Sequence, residues 1–150
     1  MRAITQTDLL EQRRKERSKM TADQWYQTIR QTNAPLEEWK EAKIAQLDGM
    51  AERDILSGFT SQTTGHFYRF NQLDQMNFTQ QMLLLVADQS IAEVSWKTED
   101  AGVVVHTREQ FLAVTNEAEQ HKRSLMERYW TLKAQAQDAT TKEEVDTINW

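Results

Sequence analysis

The stretch from Ser57 to Thr98, SGFTSQTTGHFYRFNQLDQMNFTQQMLLLVADQSIAEVSWKT, decides the fold because it sets two strand patterns around one apolar helix. At its start, 59–61 and 66–70 read as a short hairpin about Gln62-Thr63-Thr64-Gly65, where Gly65 supplies the positive φ of the turn. His66, Tyr68 and Phe70 share one strand face; Phe67 and Arg69 share the other. Residues 73–88 then read as a helix with Asp74 as its N-cap. Its apolar side chains, Met76, Phe78, Met82, Leu83, Leu85 and Val86, spread around more than one face, the mark of a helix central to a core. At 92–98, Val94 and Trp96 alternate with Glu93, Ser95 and Lys97, a period of two that fits a half-buried strand.

Working outward, Glu99-Asp100-Ala101-Gly102 turns this strand into 103–106 and completes a second hairpin. Thr107 with Gln110 forms a capping box that opens a helix over 108–137. Phe111, Val114, Ala118, Leu125, Tyr129, Leu132 and Ala136 keep a stripe along it. At 1.5 Å per residue such a helix is about 45 Å long, more than a small hairpin layer covers, so it invites packing on another helix or chain. Thr140, Thr141, Glu143 and Glu144 cap a short last helix.

Toward the N-terminus, a helix over 35–56 carries Leu36, Trp39, Leu47 and Met50 at helical spacing, with Gly58 as its stop; Lys43 and Asp54 interrupt the stripe. Before it, 21–31 forms a short helix with Trp25, Tyr26 and Ile29, capped by Thr21 and Gln24. The first helix, over 8–19, is polar almost all round and needs a partner to be stable. The expected architecture is therefore α+β and mostly helical: two short antiparallel hairpins packed against three longer helices, preceded by a helical arm. Residues 1–34 read as a docking or oligomerisation arm and 35–150 as the α+β domain. Phe67, Phe78, Leu83, Trp96 and Phe111 are the expected core, and Leu9, Leu10, Arg13, Arg17, Leu125, Tyr129 and Leu132 the expected interface.

The 150 residues contain no cysteine, which excludes disulfides and thiolate metal sites. No apolar run approaches the length of a membrane span, and the first twenty residues lack the apolar centre of a secretion signal, so no membrane association or export is expected. Net charge is −5, unevenly placed: residues 1–30 carry seven Lys/Arg against four Asp/Glu, and the remainder eleven against nineteen. The basic run Arg13, Arg14, Lys15, Arg17 and Lys19 is interrupted by Glu11 and Glu16 and has no interleaved aromatics, so it reads as a solvated helix face and not as a nucleic-acid surface.

Catalytic patterns are thin. The four glycines, at 49, 58, 65 and 102, form no phosphate-binding loop. The histidines at 66, 106 and 121 stand apart, without metal-ligand spacing; His121 reads as a packed or interface residue. The expectation is a protein without enzymatic activity and without cofactors, whose five tryptophans are core and interface anchors.

An ordered set of motifs adds a resemblance: ILSGF at 55–59, GHFY at 65–68, LDQMNF at 73–78, VSWKT at 94–98 and a closing INW at 148–150. Over about residues 36–150 the chain resembles a family of uncharacterised domains of bacteriophage tail-fibre and baseplate-associated proteins. The resemblance implies a virion structural role in the tail, made in the host cytoplasm, with other tail, baseplate or fibre proteins and further copies of the chain as partners. It supplies no catalytic residues. The alternative is a tail or fibre assembly chaperone that does not stay in the particle.

Overall fold

The computed structural model describes residues 2–150 and is α+β and mostly helical, with six helices and two two-stranded antiparallel sheets among the described residues. The order is α1 (Gln6–Arg17), α2 (Ala22–Ile29), α3 (Leu36–Leu56), β1 (Phe59–Thr60), β2 (Phe67–Tyr68), α4 (Gln72–Ala87), β3 (Glu93–Thr98), β4 (Gly102–Thr107), α5 (Arg108–Asp138) and α6 (Lys142–Thr147). Two compact units divide the chain. One comprises the residues up to Met50 together with Tyr129–Trp150; the other is Ala51–Arg128.

The unit Ala51–Arg128 follows from its punctuation. Helix α3 ends at Leu56, and Gly58 takes a φ of +95°. A Cβ there would lie 2.5 Å from the Tyr68 carbonyl oxygen and 2.7 Å from the Phe67 ring, so only glycine fits both the backbone angle and the approach of β2. Strands β1 and β2 pair Phe59 with Tyr68 and Thr60 with Phe67. Strands β3 and β4 pair six residues, from Glu93 with Thr107 to Thr98 with Gly102. The Glu99 amide donates to the Phe67 carbonyl at 2.9 Å, which joins the end of the second hairpin to the first. Phe59, Tyr68, Phe70, Phe78, Leu85, Val94, Phe111 and Val114 form the core against which half-buried Trp96 packs. Its rings meet closely: Trp96 lies 4.8 Å from Phe78 and 4.9 Å from Phe111 between centroids.

Four expectations for this unit change. Leu83 is 59% exposed, because the hairpins and α5 cover only the side of α4 that carries Phe78 and Leu85. Phe67 is also exposed: Tyr68 of β2 and Phe70, two residues further on, take the inward positions, so alternation turns Phe67 outward. Asp74 is not the N-cap of α4. Asn71 caps it, its side-chain oxygen accepting the Asp74 amide at 2.9 Å, while the Asp74 carboxylate accepts the Asn71 amide and the Arg69 guanidinium. Thr107 and Gln110 do exchange the bonds of a capping box at the start of α5. The fourth change is the breadth of α4: apolar around more than one face in sequence, it has one buried face.

In the other unit, α2 is not an appendage. Trp25, Tyr26 and Ile29 are buried with Ala34, Ala42, Ala139 and Val145, so the second helix of the expected arm belongs to a core. A smaller cluster of Leu47, Ala136 and Ile148 is flanked by Ile44, Tyr129, Leu132 and Trp150. Helix α1 buries no residue, as its polar sequence requires. Two ion pairs at 2.7 Å, Arg13 with Glu38 and Arg17 with Glu41, hold it to α3. Lys43, the flaw in the α3 stripe, is buried: its ammonium donates to the Ile148 carbonyl at 2.8 Å and sits 3.9 Å above the Tyr26 ring.

Candidate functional site

Several titratable side chains of the Ala51–Arg128 unit hold its parts together. His66 Nδ1 lies 2.9 Å from the Asp100 carboxylate, which also accepts the Phe67 amide at 3.0 Å and is held below the usual aspartate range, first by the His66 bond and then by that amide. His106 Nδ1 lies 2.9 Å from the Val104 carbonyl, which can only accept, so Nδ1 carries the proton. In the uncharged ring Nε2 then accepts from the Tyr68 hydroxyl at 2.6 Å, leaving the Tyr68 oxygen to accept from Thr64 at 2.9 Å. Burial pushes the Tyr68 phenol above its ordinary value. His121 stacks beside Phe59 and Phe70, with Nε2 3.4 Å from the Ile55 carbonyl.

Glu117 of α5 reaches the turn of the first hairpin, accepting the Ser61 hydroxyl at 2.5 Å, the Thr63 amide at 2.9 Å and the Thr63 hydroxyl at 2.8 Å. Arg108 does the same for the end of α4: its guanidinium donates to the carbonyls of Leu85, Asp88 and Ile91. No group of three or more His, Cys, Asp or Glu among the described residues is placed to hold a metal ion.

What remains open to a partner is surface. A groove of about 350 Å³ lies between α4 and α5, lined by Phe70, Phe78, Met82, Leu112 and Ala118. Lys122 stands on its rim and donates to the Gln75 side chain at 2.9 Å. Gln75, Thr79, Thr115, Asn116 and Glu119 line it as well, so the groove is of mixed polarity. On the opposite side of α4, Leu73, Met76, Leu83 and Leu84 are each more than half exposed. Isolated exposed leucines are ordinary, but four large apolar side chains along one helix face form a patch of the kind that marks an interaction site.

The structure distributes the expected interface residues differently. Leu9 is exposed on α1, and Leu10 lines a small groove with Arg13, Arg17, Trp25, Glu38 and Glu41. Arg13 and Arg17 pair with Glu38 and Glu41 of α3. Tyr129 and Leu132 pack on the Leu47, Ala136 and Ile148 cluster, and Leu125 is half-buried. One residue of the exposed face of α4, Leu83, is expected in the core from the sequence. The signal of that face was present as the spacing of residues 73, 76, 80, 83, 84 and 87, a second stripe opposite Phe78 and Leu85.

The fold is α+β and mostly helical, and one apolar face of α4 is exposed. The chain belongs to the family of the domain of unknown function DUF4376, whose model matches residues 38–149. No curated protein and no solved structure matches it.

Proposed function

We propose that this chain is a non-enzymatic structural component of a bacteriophage or phage-like tail, at the baseplate or fibre-attachment region, acting through protein–protein contacts. The observation that carries the binding role is the exposed apolar face of α4, Leu73, Met76, Leu83 and Leu84, in a unit whose histidines all serve internal packing or pairing. The tail setting is supported by the ordered motifs that resemble tail-associated domains, from ILSGF to INW. Its partners in this reading are other tail, baseplate or fibre proteins. No helix among the described residues is long and apolar enough to cross a membrane.

The same exposed face also suits an assembly chaperone, which needs apolar surface to hold an unfinished partner. Mass spectrometry of gradient-purified particles separates the two. A fixed copy number in finished particles is the expected result. Abundance in producing-cell lysate with absence from particles would favour the chaperone, and normal tails from a deletion strain would overturn the tail setting altogether.

A further inference from the structure

The outward stripe of α4 has an internal symmetry. Counted from Gln80, apolar residues stand four positions away on either side, Met76 and Leu84, and seven positions away on either side, Leu73 and Ala87; Leu83 adds a fifth at plus three. At 100° per residue these positions, Gln80 included, fall on one face of the helix, and all six are exposed. Read backwards from Gln80, the stripe is nearly the stripe read forwards. A surface with this property is complementary to itself under a two-fold rotation, which is the requirement for an isologous contact.

We propose that α4 is the contact of a homodimer of this chain, two copies of the helix crossing antiparallel with Gln80 beside the two-fold axis. Met76 then faces Leu84 of the partner copy, and Leu73 faces the small Ala87, large against small on both sides of the centre. The residue at the centre fits. A glutamine amide carries both a donor and an acceptor, so two copies meeting at the axis satisfy each other, whereas a lysine or glutamate there would meet its own charge.

Charge decides between a second copy and a foreign partner. The one ionisable side chain of α4 is Asp74, which is buried and turned away from the stripe to Arg69. The stripe offers nothing with which to select a charged helix or tail segment. It also lacks the like-charge repulsion that otherwise opposes self-association of a chain of net charge −5. The area is sufficient: at roughly 100 Å² for each large side chain and less for Gln80, Asn77 and Ala87, a pair of stripes covers on the order of 1,200 Å², the lower edge of specific interfaces. This inference goes beyond the tail reading and does not depend on it, since a chain absent from particles still dimerises through α4.

The chain has no cysteine, so single cysteines give a clean test on the full-length protein. Sedimentation equilibrium should show a dimer, and Leu83→Glu combined with Leu84→Glu should weaken it at least tenfold, with the circular dichroism melt unchanged at concentrations where both chains are monomeric. Oxidised Gln80→Cys should crosslink to dimer, while Gln62→Cys, in the exposed turn of the first hairpin, should not. Met76→Cys and Leu84→Cys chains, mixed, should crosslink to one another and not each to itself. A monomeric wild type, a dimer indifferent to the double glutamate variant, or equal crosslinking at positions 80 and 62 would each overturn the proposal. If the glutamate variant misfolds, the crosslinking pattern alone decides.

Discussion

The two compact units are held by different chemistry. Ala51–Arg128 is filled with rings: Phe59, Tyr68, Phe70, Phe78 and Phe111, with Trp96 against them. The unit containing α1, α2 and α6 sets four alanines, Ala34, Ala42, Ala136 and Ala139, among Trp25, Tyr26, Ile29, Leu47, Val145 and Ile148, and gathers fewer rings in one place. It makes up the difference with polar anchors. Tyr26 donates to Asp146 at 2.8 Å, Arg30 pairs with Asp146, Lys43 donates to Ile148, and Gln46 donates to Asp23 at 2.7 Å. The ring core depends mainly on shape, with the bonded Tyr68 and His106 as its polar members. A core closed by charged and hydrogen-bonding groups responds to pH and salt.

The sharpest test of the ring core is Phe111→Ala. Phe111 is fully buried between Trp96, Phe78 and His106, and its removal should cost about 3–5 kcal/mol. Leu83→Ala, on the exposed face of α4, should stay within about 0.5 kcal/mol in the same urea titration at concentrations where the chain is monomeric. If the two variants lose stability equally, α4 is buried on both faces.

The alanine-rich unit should reveal itself at alkaline pH. Burial, then the bond to Asp146, raises the Tyr26 phenol far above its ordinary value of 10.0. The folded protein keeps this proton where the unfolded chain releases it, so the contribution of Tyr26 is complete below pH 10 and is lost as pH rises above it. Lys43 works in the opposite sense: burial lowers its pKa below 10.5, so the unfolded chain binds that proton more readily and stability is gained as pH climbs toward the ordinary lysine value. Tyr26→Phe should reduce the fall in melting temperature above pH 10 without abolishing it, because the raised phenols of Tyr68 and Tyr129 remain. An unchanged alkaline slope would remove Tyr26 from the list of anchors.

The smallest effect belongs to α1. Arg13 and Glu38 are mostly shielded, yet they lie at the edge of the unit, and a double-mutant cycle to alanine should give a coupling of about 0.5–1 kcal/mol that shrinks as salt is added. A coupling insensitive to salt would mean that α1 is held by packing instead.

Local signals in the sequence carried most of the element boundaries. Thr21 with Gln24 and Thr107 with Gln110 are capping boxes in the structure, Gly58 closes α3 and Gly65 takes its positive φ. These depend on neighbours three or four residues away, which a sequence displays directly. Leu84 and Leu85 show where that reading ends: adjacent and identical, one is 56% exposed and the other fully buried. Composition could say that α4 is apolar, but which side is covered depends on where β3, β4 and α5 arrive. Lys43 is another case, since a lysine in an apolar stripe looks like a flaw until Tyr26 and the Ile148 carbonyl, 105 residues away, are brought beside it. Tyr68 and His106, 38 residues apart, meet for the same long-range reason.

Glu117 has a consequence for the first hairpin. Strands β1 and β2 are two residues long, too short to persist as an isolated hairpin, and their turn is tied down by a carboxylate 54–56 residues further along the chain. Within the turn the Ser61 oxygen accepts the Thr63 and Thr64 amides, but the Ser61 and Thr63 hydroxyls find their carboxylate acceptor only when that part of α5 is in place. The first hairpin thus leans on a helix that the chain supplies only some fifty residues later, and damage to the Glu117 region of α5 is felt at a turn far from it in sequence.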